Sequence, residues 1–101
     1  RESVDVAAKS ICDALQVATP GEVTFDINKR LLAGATAVTD DEVREAIRFA
    51  FRHLKLVVEP GGAAALAAVL SGKVDTRDKI TVAVISGGNI DAEMFASIQN
   101  A

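Results

Sequence analysis

One stretch, residues 80–91, constrains the fold of this 101-residue chain more than any other. It joins an apolar, β-branched run over 80–85 to Ser86, two glycines and Asn89, and it ends at Asp91, a residue type suited to capping a helix. The pattern predicts a buried strand, a tight turn and a helix N-terminus in succession. Open α/β sheets bind their ligands at this arrangement, so the stretch predicts an α/β fold and marks a candidate site.

The most regular helical pattern lies in residues 40–54. Thr39 and Glu42 have the spacing of a capping box, which closes the first turn of a helix. Apolar residues then recur at i, i+3, i+4, i+7, i+8 and i+11, which is typical of a helix with one buried face. We expect the buried positions to include Val43, Ile47, Phe51 and Leu54, and the exposed ones to include Arg44, Glu45, Arg48 and Arg52.

The other elements are expected to alternate between helix and strand, separated by glycine and proline. Helices are predicted over 22–32, over 63–70 and after Asp91, and strands over 35–38, 56–58 and 80–85; residues 1–12 show only weak helical patterning. Such alternation predicts a parallel sheet with right-handed crossovers. Strand 80–85 is apolar on both faces and needs sheet neighbours that this chain does not obviously supply. We expect them from a longer parent protein or from another copy.

Composition excludes several classes of function. The formal net charge is −3 and no Lys/Arg cluster occurs, which argues against a nucleic-acid or anionic-membrane partner. The longest apolar run, 63–70, is far too short to span a bilayer. The single cysteine, Cys12, allows no internal disulfide and favours a cytoplasmic protein. No His, Cys and carboxylate spacing predicts a metal site.

Two segments carry candidate site residues, each with an ordinary structural alternative. Glycines in the turn Ser86-Gly87-Gly88-Asn89 allow backbone N–H groups to converge on an anion, or a ring to lie against the chain; alternatively they only satisfy the geometry of the turn. Glu59 ends an apolar run, which would place its carboxylate at the same edge of the sheet; alternatively it is a solvated loop residue.

Residues 59–63 and 86–91 together resemble the C-terminal part of the threonine/serine dehydratase family. These are pyridoxal-phosphate (PLP) enzymes with the tryptophan-synthase-β-like fold, type II. The resemblance implies that residues 1–101 are a C-terminal fragment of the larger catalytic domain, with short parallel strands alternating with helices. At Gly61 the family more often has Ser, Ala or Thr, so the resemblance is incomplete there.

The same resemblance implies cofactor-binding roles for Ser86, Glu59, Gly87 and Asn89. The serine hydroxyl would meet the pyridine nitrogen of PLP, and Glu59 would lie near the ring. A neutral hydroxyl makes PLP a weaker electron sink than an aspartate would, which suits β-elimination. We assign no catalytic residue to this piece, because neither the family's Schiff-base lysine nor its glycine-rich phosphate loop has a match here.

The expected activity of the parent protein is conversion of a hydroxy amino acid to a 2-oxo acid and ammonia. One alternative is a serine racemase-like enzyme; the other is a small non-catalytic α/β domain that binds a partner or an anion. The fragment alone is expected to be inactive and to bind no PLP covalently. Exposed strand edges favour pairing with another copy, so we expect a homo-oligomer.

Overall fold

The computed structural model describes residues 9–101, and two central helices organise it. In chain order the elements are a 3₁₀ turn (Asp13–Leu15), α1 (Glu22–Leu31), α2 (Asp40–Phe49), a π-helical turn (Ala50–Leu54), α3 (Pro60–Leu70) and α4 (Ala92–Asn100). Helix α2 packs on α3, α4 packs on α2, and the 3₁₀ turn packs on α3. Within the described part of the chain, no helix is long and apolar enough to cross a membrane.

The core lies between α2 and α3 because their faces are complementary in size. Helix α2 contributes Val43 and Ile47, which are fully buried, and α3 contributes the small side chains of Ala63 and Ala67. Alanines let the two backbones approach closely, so the branched side chains fill the space between them. Ile98 of α4, which packs on α2, belongs to the same cluster.

The start of α2 confirms the predicted capping box. Thr39 Oγ1 accepts a hydrogen bond from the backbone N–H of Glu42 at 3.2 Å, and Glu42 Oε2 accepts one from the N–H of Thr39 at 2.7 Å. The two residues therefore satisfy backbone donors that the first turn would otherwise leave unpaired.

The end of the same helix contradicts two of the predicted burial positions. Beyond Phe49 the chain widens into the π-helical turn, which ends at Lys55 with a φ of 58°. The wider turn breaks the 3.6-residue period, so later residues no longer continue the buried stripe. Phe51 and Leu54 are consequently 41% and 47% exposed, although the spacing predicted them to be buried.

The predicted exposure of Arg48 is also wrong. Its side chain is only 12% exposed, because it lies between α2 and α4. Its guanidinium donates to the backbone carbonyl of Ile98 at 2.8 Å and also pairs with Glu45. Arg52 donates to the carbonyl of Gln99 at 3.1 Å. Two arginines thus satisfy carbonyls in the last turn of α4, where cations are favourable.

Helix α3 begins three residues earlier than predicted, with Pro60 at its first position. Proline is favoured there because its missing N–H would be unpaired anyway. The helix ends where predicted, at Leu70, and Gly72 follows it with a φ of 76°. The N–H groups of Gly72 and Lys73 donate to the carbonyls of Val69 and Ala68, which is a Schellman motif.

The predicted strands over 35–38, 56–58 and 80–85 are not formed within residues 9–101, which are helical or irregular. A strand requires a ladder of hydrogen bonds to a neighbouring strand. The segments that end at Glu59 and Gly87 are joined instead by one backbone hydrogen bond, from Glu59 N–H to Gly87 O at 3.0 Å. No neighbour covers the last segment: Ile80 is fully exposed and Val82 is 83% exposed. The expected parallel sheet is therefore absent from the described chain.

Helix α1 forms one residue shorter than predicted, but it buries none of its side chains. The weak helical pattern over residues 1–12 falls mostly on residues 1–8, which lie outside the described residues.

Candidate functional site

The two segments that carry the family resemblance meet in space. The backbone N–H of Glu59 donates to the carbonyl of Gly87, 28 residues later, and so joins the start of α3 to the turn before α4. That turn is tight, with the N–H of Ile90 bonded to the carbonyl of Gly88 at 2.9 Å. Asp91 then caps helix α4, and its carboxylate accepts a hydrogen bond from the N–H of Met94 at 2.9 Å, as the sequence predicted.

At Gly62 and Gly88 glycine is required because backbones are in direct contact, and at Gly87 any side chain would displace the carboxylate of Glu59. A Cβ added to Gly62 would lie 2.7 Å from the carbonyl oxygen and 2.9 Å from the nitrogen of Gly87. One added to Gly88 would lie 2.6 Å from the carbonyl oxygen of Val57, and one added to Gly87 would overlap the carboxylate of Glu59. Real Cβ atoms do not come this close to backbone. The two segments therefore form one interlocked unit.

A cleft of about 740 Å³ opens beside this unit, bordered by three helix N-termini. Asp40 begins α2, Glu59 precedes α3, and Asp91 precedes α4. The remaining residues around the cleft are Lys9, Ser10, Ile11, Asp13, Pro60, Asn89, Ile90 and Met94. Helix N-termini carry partial positive charge, which stabilises the carboxylates placed there.

Sequence reasoning missed the contact that closes one side of the cleft. Ser10 Oγ donates to Asp40 Oδ1 at 2.6 Å, and the backbone N–H of Ile11 donates to Asp40 Oδ2 at 3.2 Å. Ser10 Oγ also accepts from the N–H of Cys12 at 3.1 Å. The one available signal was the capping box: because Thr39 caps α2, the carboxylate of Asp40 is free to bind another segment.

Glu59 is the cleft carboxylate best placed to receive a ligand. Four carboxylates line the cleft against one ammonium group, that of Lys9. Asp40 and Asp91 accept the hydrogen bonds described above, and Asp13 accepts from the N–H of Ala14 at 2.8 Å. Within residues 9–101, Glu59 alone among the four accepts no hydrogen bond through its side chain, not even as a helix cap. Its partly buried carboxylate can therefore accept a donor from a bound molecule.

The predicted site residues divide into two pairs. Glu59 and Asn89 line the cleft directly. Gly87 lies behind them, where it contacts the side chain of Glu59 and accepts a hydrogen bond from the Glu59 backbone N–H. Ser86 is exposed and stands one residue further from the cleft, outside the residues that line it.

Cys12 is a buried core residue. Burial raises the pKa of its thiol, and the negative charges of Asp40 and Asp13 raise it further, against a lowering hydrogen bond from Ser10. A raised pKa reduces the thiolate fraction, and the thiolate is the nucleophilic form. The structure therefore favours a packing role for this side chain. In residues 9–101 no group of three metal-ligating side chains converges.

Comparison with known proteins places the chain in a family. A family model described as "Pyridoxal-phosphate dependent enzyme" matches residues 1–87, which is most of the sequence. The chain belongs to this family. The predicted resemblance is therefore confirmed, and PLP is the cofactor of the family.

Three proteins similar to this chain show which members of the family it resembles. An L-threonine ammonia-lyase from Thermotoga maritima is 40% identical over 91 residues, which cover 90% of this chain and 22% of the relative. The crystal structure of a threonine deaminase from T.th. matches with a TM-score of 0.73 and 35% identity, over 82% of this chain and 30% of that chain. Serine racemase from Dictyostelium discoideum matches with a TM-score of 0.73 and 36% identity, over 82% and 28%. The chain thus spans 22–30% of these relatives.

The residues around the cleft fit the ring of PLP but not its phosphate. Its volume lies within the range of roughly 300–1,000 Å³ that small-molecule sites occupy. The carboxylate of Glu59 and the amide of Asn89 suit a ring or an ammonium group, since both can accept hydrogen bonds from it. The surplus of carboxylates opposes a dianionic phosphate. These residues therefore fit the ring side of the cofactor, and its phosphate requires other residues.

Proposed function

We propose that this chain is the C-terminal part of a PLP-dependent dehydratase that converts threonine or serine to a 2-oxo acid and ammonia. The observation that carries the proposal is the interlocked unit of Glu59, Gly62 and Gly87 beside the cleft. It joins the two segments on which the family resemblance rests. Membership of a PLP family favours an enzyme over a non-catalytic binding domain.

Four residues are proposed to contact the cofactor. When bound, PLP supplies an electron sink that loosens the bonds at the α-carbon of an amino acid. Ser86 would donate a neutral hydrogen bond to the ring nitrogen. Glu59 would accept a hydrogen bond from a group on the cofactor ring, and the amide of Asn89 would contact the edge of the ring. Gly87, which has no side chain, would let the ring lie close to the backbone.

The reaction itself has two candidates. The L-threonine ammonia-lyase relative favours elimination, which is also the reaction that a weakly polarised ring nitrogen suits. The serine racemase match, at nearly the same identity as the threonine deaminase, favours racemisation as the second candidate. Both take a small amino acid as substrate, and the carboxylates of the cleft are suited to its ammonium group.

The rest of the catalytic machinery is proposed to lie in other parts of a longer protein. We expect a Schiff-base lysine and a glycine-rich phosphate loop there, and the 101-residue chain alone should have no dehydratase activity. A single hydrogen bond to the ring cannot hold PLP, because micromolar binding needs roughly 8 kcal/mol. The buried thiol of Cys12 is compatible with the proposed cytoplasmic location.

An activity assay on the full-length protein tests the proposal. The protein is incubated with L-threonine and, separately, with L-serine, and the 2-oxo acid is measured; D-serine is measured in the same samples. Formation of 2-oxo acid supports the dehydratase, and D-serine without 2-oxo acid supports the racemase. PLP absorbance with neither product would contradict both candidates.

The role of Ser86 is tested with a matched pair of variants. Ser86→Ala should lower turnover or PLP retention by roughly two- to ten-fold, since a neutral hydrogen bond contributes about 0.5–1.5 kcal/mol. Ser71→Ala is the control, because the Ser71 hydroxyl bonds within its own helix end and lies away from the cleft. Equal activity of both variants and the wild type would remove Ser86 from the site.

We also propose that the protein forms a homo-oligomer. The support is the amount of apolar surface left exposed, including Ile80 and Val82 in the segment before the site. Exposed extended segments with unpaired backbone groups tend to pair with another chain.

A further inference from the structure

One stretch of the cleft lining has no role in the proposed function. Besides Asp40, the lining comes from three stretches of chain, and two of them contribute Glu59 and Asn89, which are assigned to the cofactor ring. The third stretch includes residues 10–13, all of which except Cys12 border the cleft. These four residues are called the wall segment below.

Apolar contacts hold the wall segment against the body of the chain. Cys12 is buried in the core, Ile11 packs against the core, and the 3₁₀ turn that begins at Asp13 packs on α3. Contacts of this kind are non-directional, so they keep the segment close without fixing how its backbone and polar groups are oriented. Its orientation at the cleft requires hydrogen bonds.

Asp40 supplies these hydrogen bonds. Its Oδ1 accepts from the hydroxyl of Ser10 at 2.6 Å, and its Oδ2 accepts from the backbone N–H of Ile11 at 3.2 Å. The hydroxyl of Ser10 in turn accepts from the N–H of Cys12 at 3.1 Å. One carboxylate thus orders three successive residues, and hydrogen bonds to a charged acceptor are stronger than neutral ones.

Asp40 is itself held in place by the helix that carries it. It follows the capping residue Thr39 at the start of α2, and the same helix buries Val43 and Ile47 in the core. A group placed by a packed helix is positioned more precisely than one placed by a loop. The wall segment therefore takes its position from the core through the side chain of Asp40.

The charge around the wall segment indicates which part of a bound molecule it faces. The carboxylates of Asp13 and Asp40 lie on this side of the cleft, against the single ammonium group of Lys9. Such a surplus of negative charge opposes the phosphate of the cofactor. The ring is assigned to residues of the other two stretches. The amino acid substrate remains, and its ammonium group is attracted by carboxylates.

We propose that Asp40 is a positioning residue, which holds the wall segment where it contacts the amino acid substrate. Both carboxylate oxygens accept hydrogen bonds from the wall segment, so the effect of Asp40 on the substrate passes through Ser10 and Ile11. The inference rests on the proposed function and adds to it a residue outside the two segments that carry the family resemblance.

Loss of this anchor should weaken substrate binding without slowing the chemical step. If the wall segment occupied its bound position for only about a tenth of the time, the affinity for substrate would fall about ten-fold. The bound substrate and the transition state would lose the same interaction, because Asp40 does not act on the reacting atoms. Such a loss raises KM and leaves kcat unchanged.

The first test compares two neighbouring carboxylates of α2 in the full-length protein. Asp40→Asn removes the charge and turns one acceptor into a donor, so KM for the amino acid should rise about ten-fold while kcat stays within about two-fold. Asp41→Asn is the matched control. It removes the same charge from the same helix end, but Asp41 is 94% exposed, pairs with Arg44 of its own helix and lies outside the cleft lining.

The control should leave both constants within about two-fold of wild type, because an exposed ion pair contributes little. The absorbance of bound PLP should be the same in all three proteins, since the ring is assigned to residues other than Asp40.

The second test asks whether Ser10 and Asp40 act as one unit. Ser10→Ala removes the hydroxyl between Asp40 and Cys12 and should raise KM roughly three- to ten-fold. The double variant should exceed Asp40→Asn by no more than about two-fold, because the shared interaction is already lost. Multiplication of the two single effects would contradict the unit. Ser10→Ala leaves α2 intact, so it carries the test by itself if Asp40→Asn does not fold.

Amide hydrogen exchange measures the anchor independently of activity. The N–H groups of Ile11 and Cys12 are bonded to Asp40 and Ser10, so they should exchange about ten-fold faster in Asp40→Asn than in Asp41→Asn or wild type. The amide of Ile47 in the core of α2 should exchange alike in all three proteins, which shows that the helix remains formed.

The outcomes separate the role of Asp40 from the proposed function. If the wild type is active and Asp40→Asn behaves like Asp41→Asn, the role of Asp40 is refuted and the proposed function stands. A fall in kcat at unchanged KM, or unchanged exchange of the Ile11 and Cys12 amides, refutes that role as well. A wild type that forms neither 2-oxo acid nor D-serine refutes the proposed function, and the role of Asp40 falls with it.

Discussion

Helices α1 and α2 have the same length and similar apolar spacing, but they have opposite surroundings. Ile47 in the C-terminal half of α2 is fully buried, whereas Ile27 at the centre of α1 is 42% exposed. Helix α2 meets the alanine face of α3, which is shaped to receive branched side chains. Helix α1 meets no other helix in residues 9–101. Apolar periodicity thus predicts that a helix forms, and its packing partner must be found separately.

The two isoleucines give the largest expected difference. Ile47→Ala should lower the free energy of unfolding by about 2–5 kcal/mol, because it leaves a cavity in a close-packed core. Ile27→Ala should change it by no more than about 0.5 kcal/mol in the monomer, because the site is already hydrated. Urea unfolding at a concentration where the chain is monomeric measures both values.

Similar decreases in the free energy of unfolding for Ile47→Ala and Ile27→Ala would contradict the contrast between the two helices. A large effect of Ile27→Ala in a monomer would mean that α1 packs on the body of the chain. A small effect of Ile47→Ala would mean that the α2–α3 contact is loose.

Helix α3 contains the next largest contrast, within two consecutive residues. Gly62→Ala should destabilise the fold by about 1–3 kcal/mol, because the new methyl group meets the backbone of Gly87. At Gly61 a Cβ makes ordinary contacts, 3.5 Å from Ala14 Cβ and 3.6 Å from Leu15 Cγ. Gly61→Ala should therefore be neutral or stabilise by up to about 1 kcal/mol, since alanine favours a helix.

Thermal and urea unfolding of this pair measures how tightly the site is interlocked. If Gly62→Ala had wild-type stability, the start of α3 and the turn at Gly87 could move apart without loss of free energy, which would contradict the close packing described here.

The smallest effect concerns the first turn of α2 and depends on pH. A hydrogen bond from Lys73 at 2.8 Å, followed by one from the N–H of Thr39, lowers the pKa of Glu42 below its ordinary value. Because the folded pKa lies below the unfolded one, this stabilisation is present above about pH 4.3 and is lost as pH falls through the folded pKa. Lys73→Met should flatten that part of the stability profile.

Lys79→Met is the control, because it removes the same charge from an exposed loop away from Glu42. Urea midpoints measured from about pH 6 to about pH 3 compare the three proteins across the range in which a glutamate titrates. Parallel profiles for wild type and Lys73→Met would contradict the assigned cause.

Features that depend on neighbouring residues could be predicted from sequence. The capping box at Thr39, the cap at Asp91 and the helix end at Gly72 each follow from residues within one turn of one another. Features that depend on distant residues could not. The strand over 80–85 lacks the neighbours that a ladder requires, and the widened turn after Phe49 removed Phe51 from the core without any glycine or proline to signal it.

The candidate site divides in the same way. Glu59 and Asn89 were identified by residue type within short segments, and both line the cleft. The contact of Ser10 with Asp40 joins residues 30 positions apart, and serine and aspartate are too common at surfaces to indicate such a pair. The packing of Gly62 on Gly87 likewise depends on how two segments approach, which their local patterns do not specify.

The Ser10–Asp40 contact also bears on how far changes in the segment that contains α1 affect the rest of the chain. It joins the two ends of the segment between Ser10 and Asp40, in which the 3₁₀ turn packs on α3 and helix α1 packs on no other helix of the described chain. Because its ends are adjacent and α1 buries no side chain, the exposed part of this segment around α1 can change in length with little effect on the packed core.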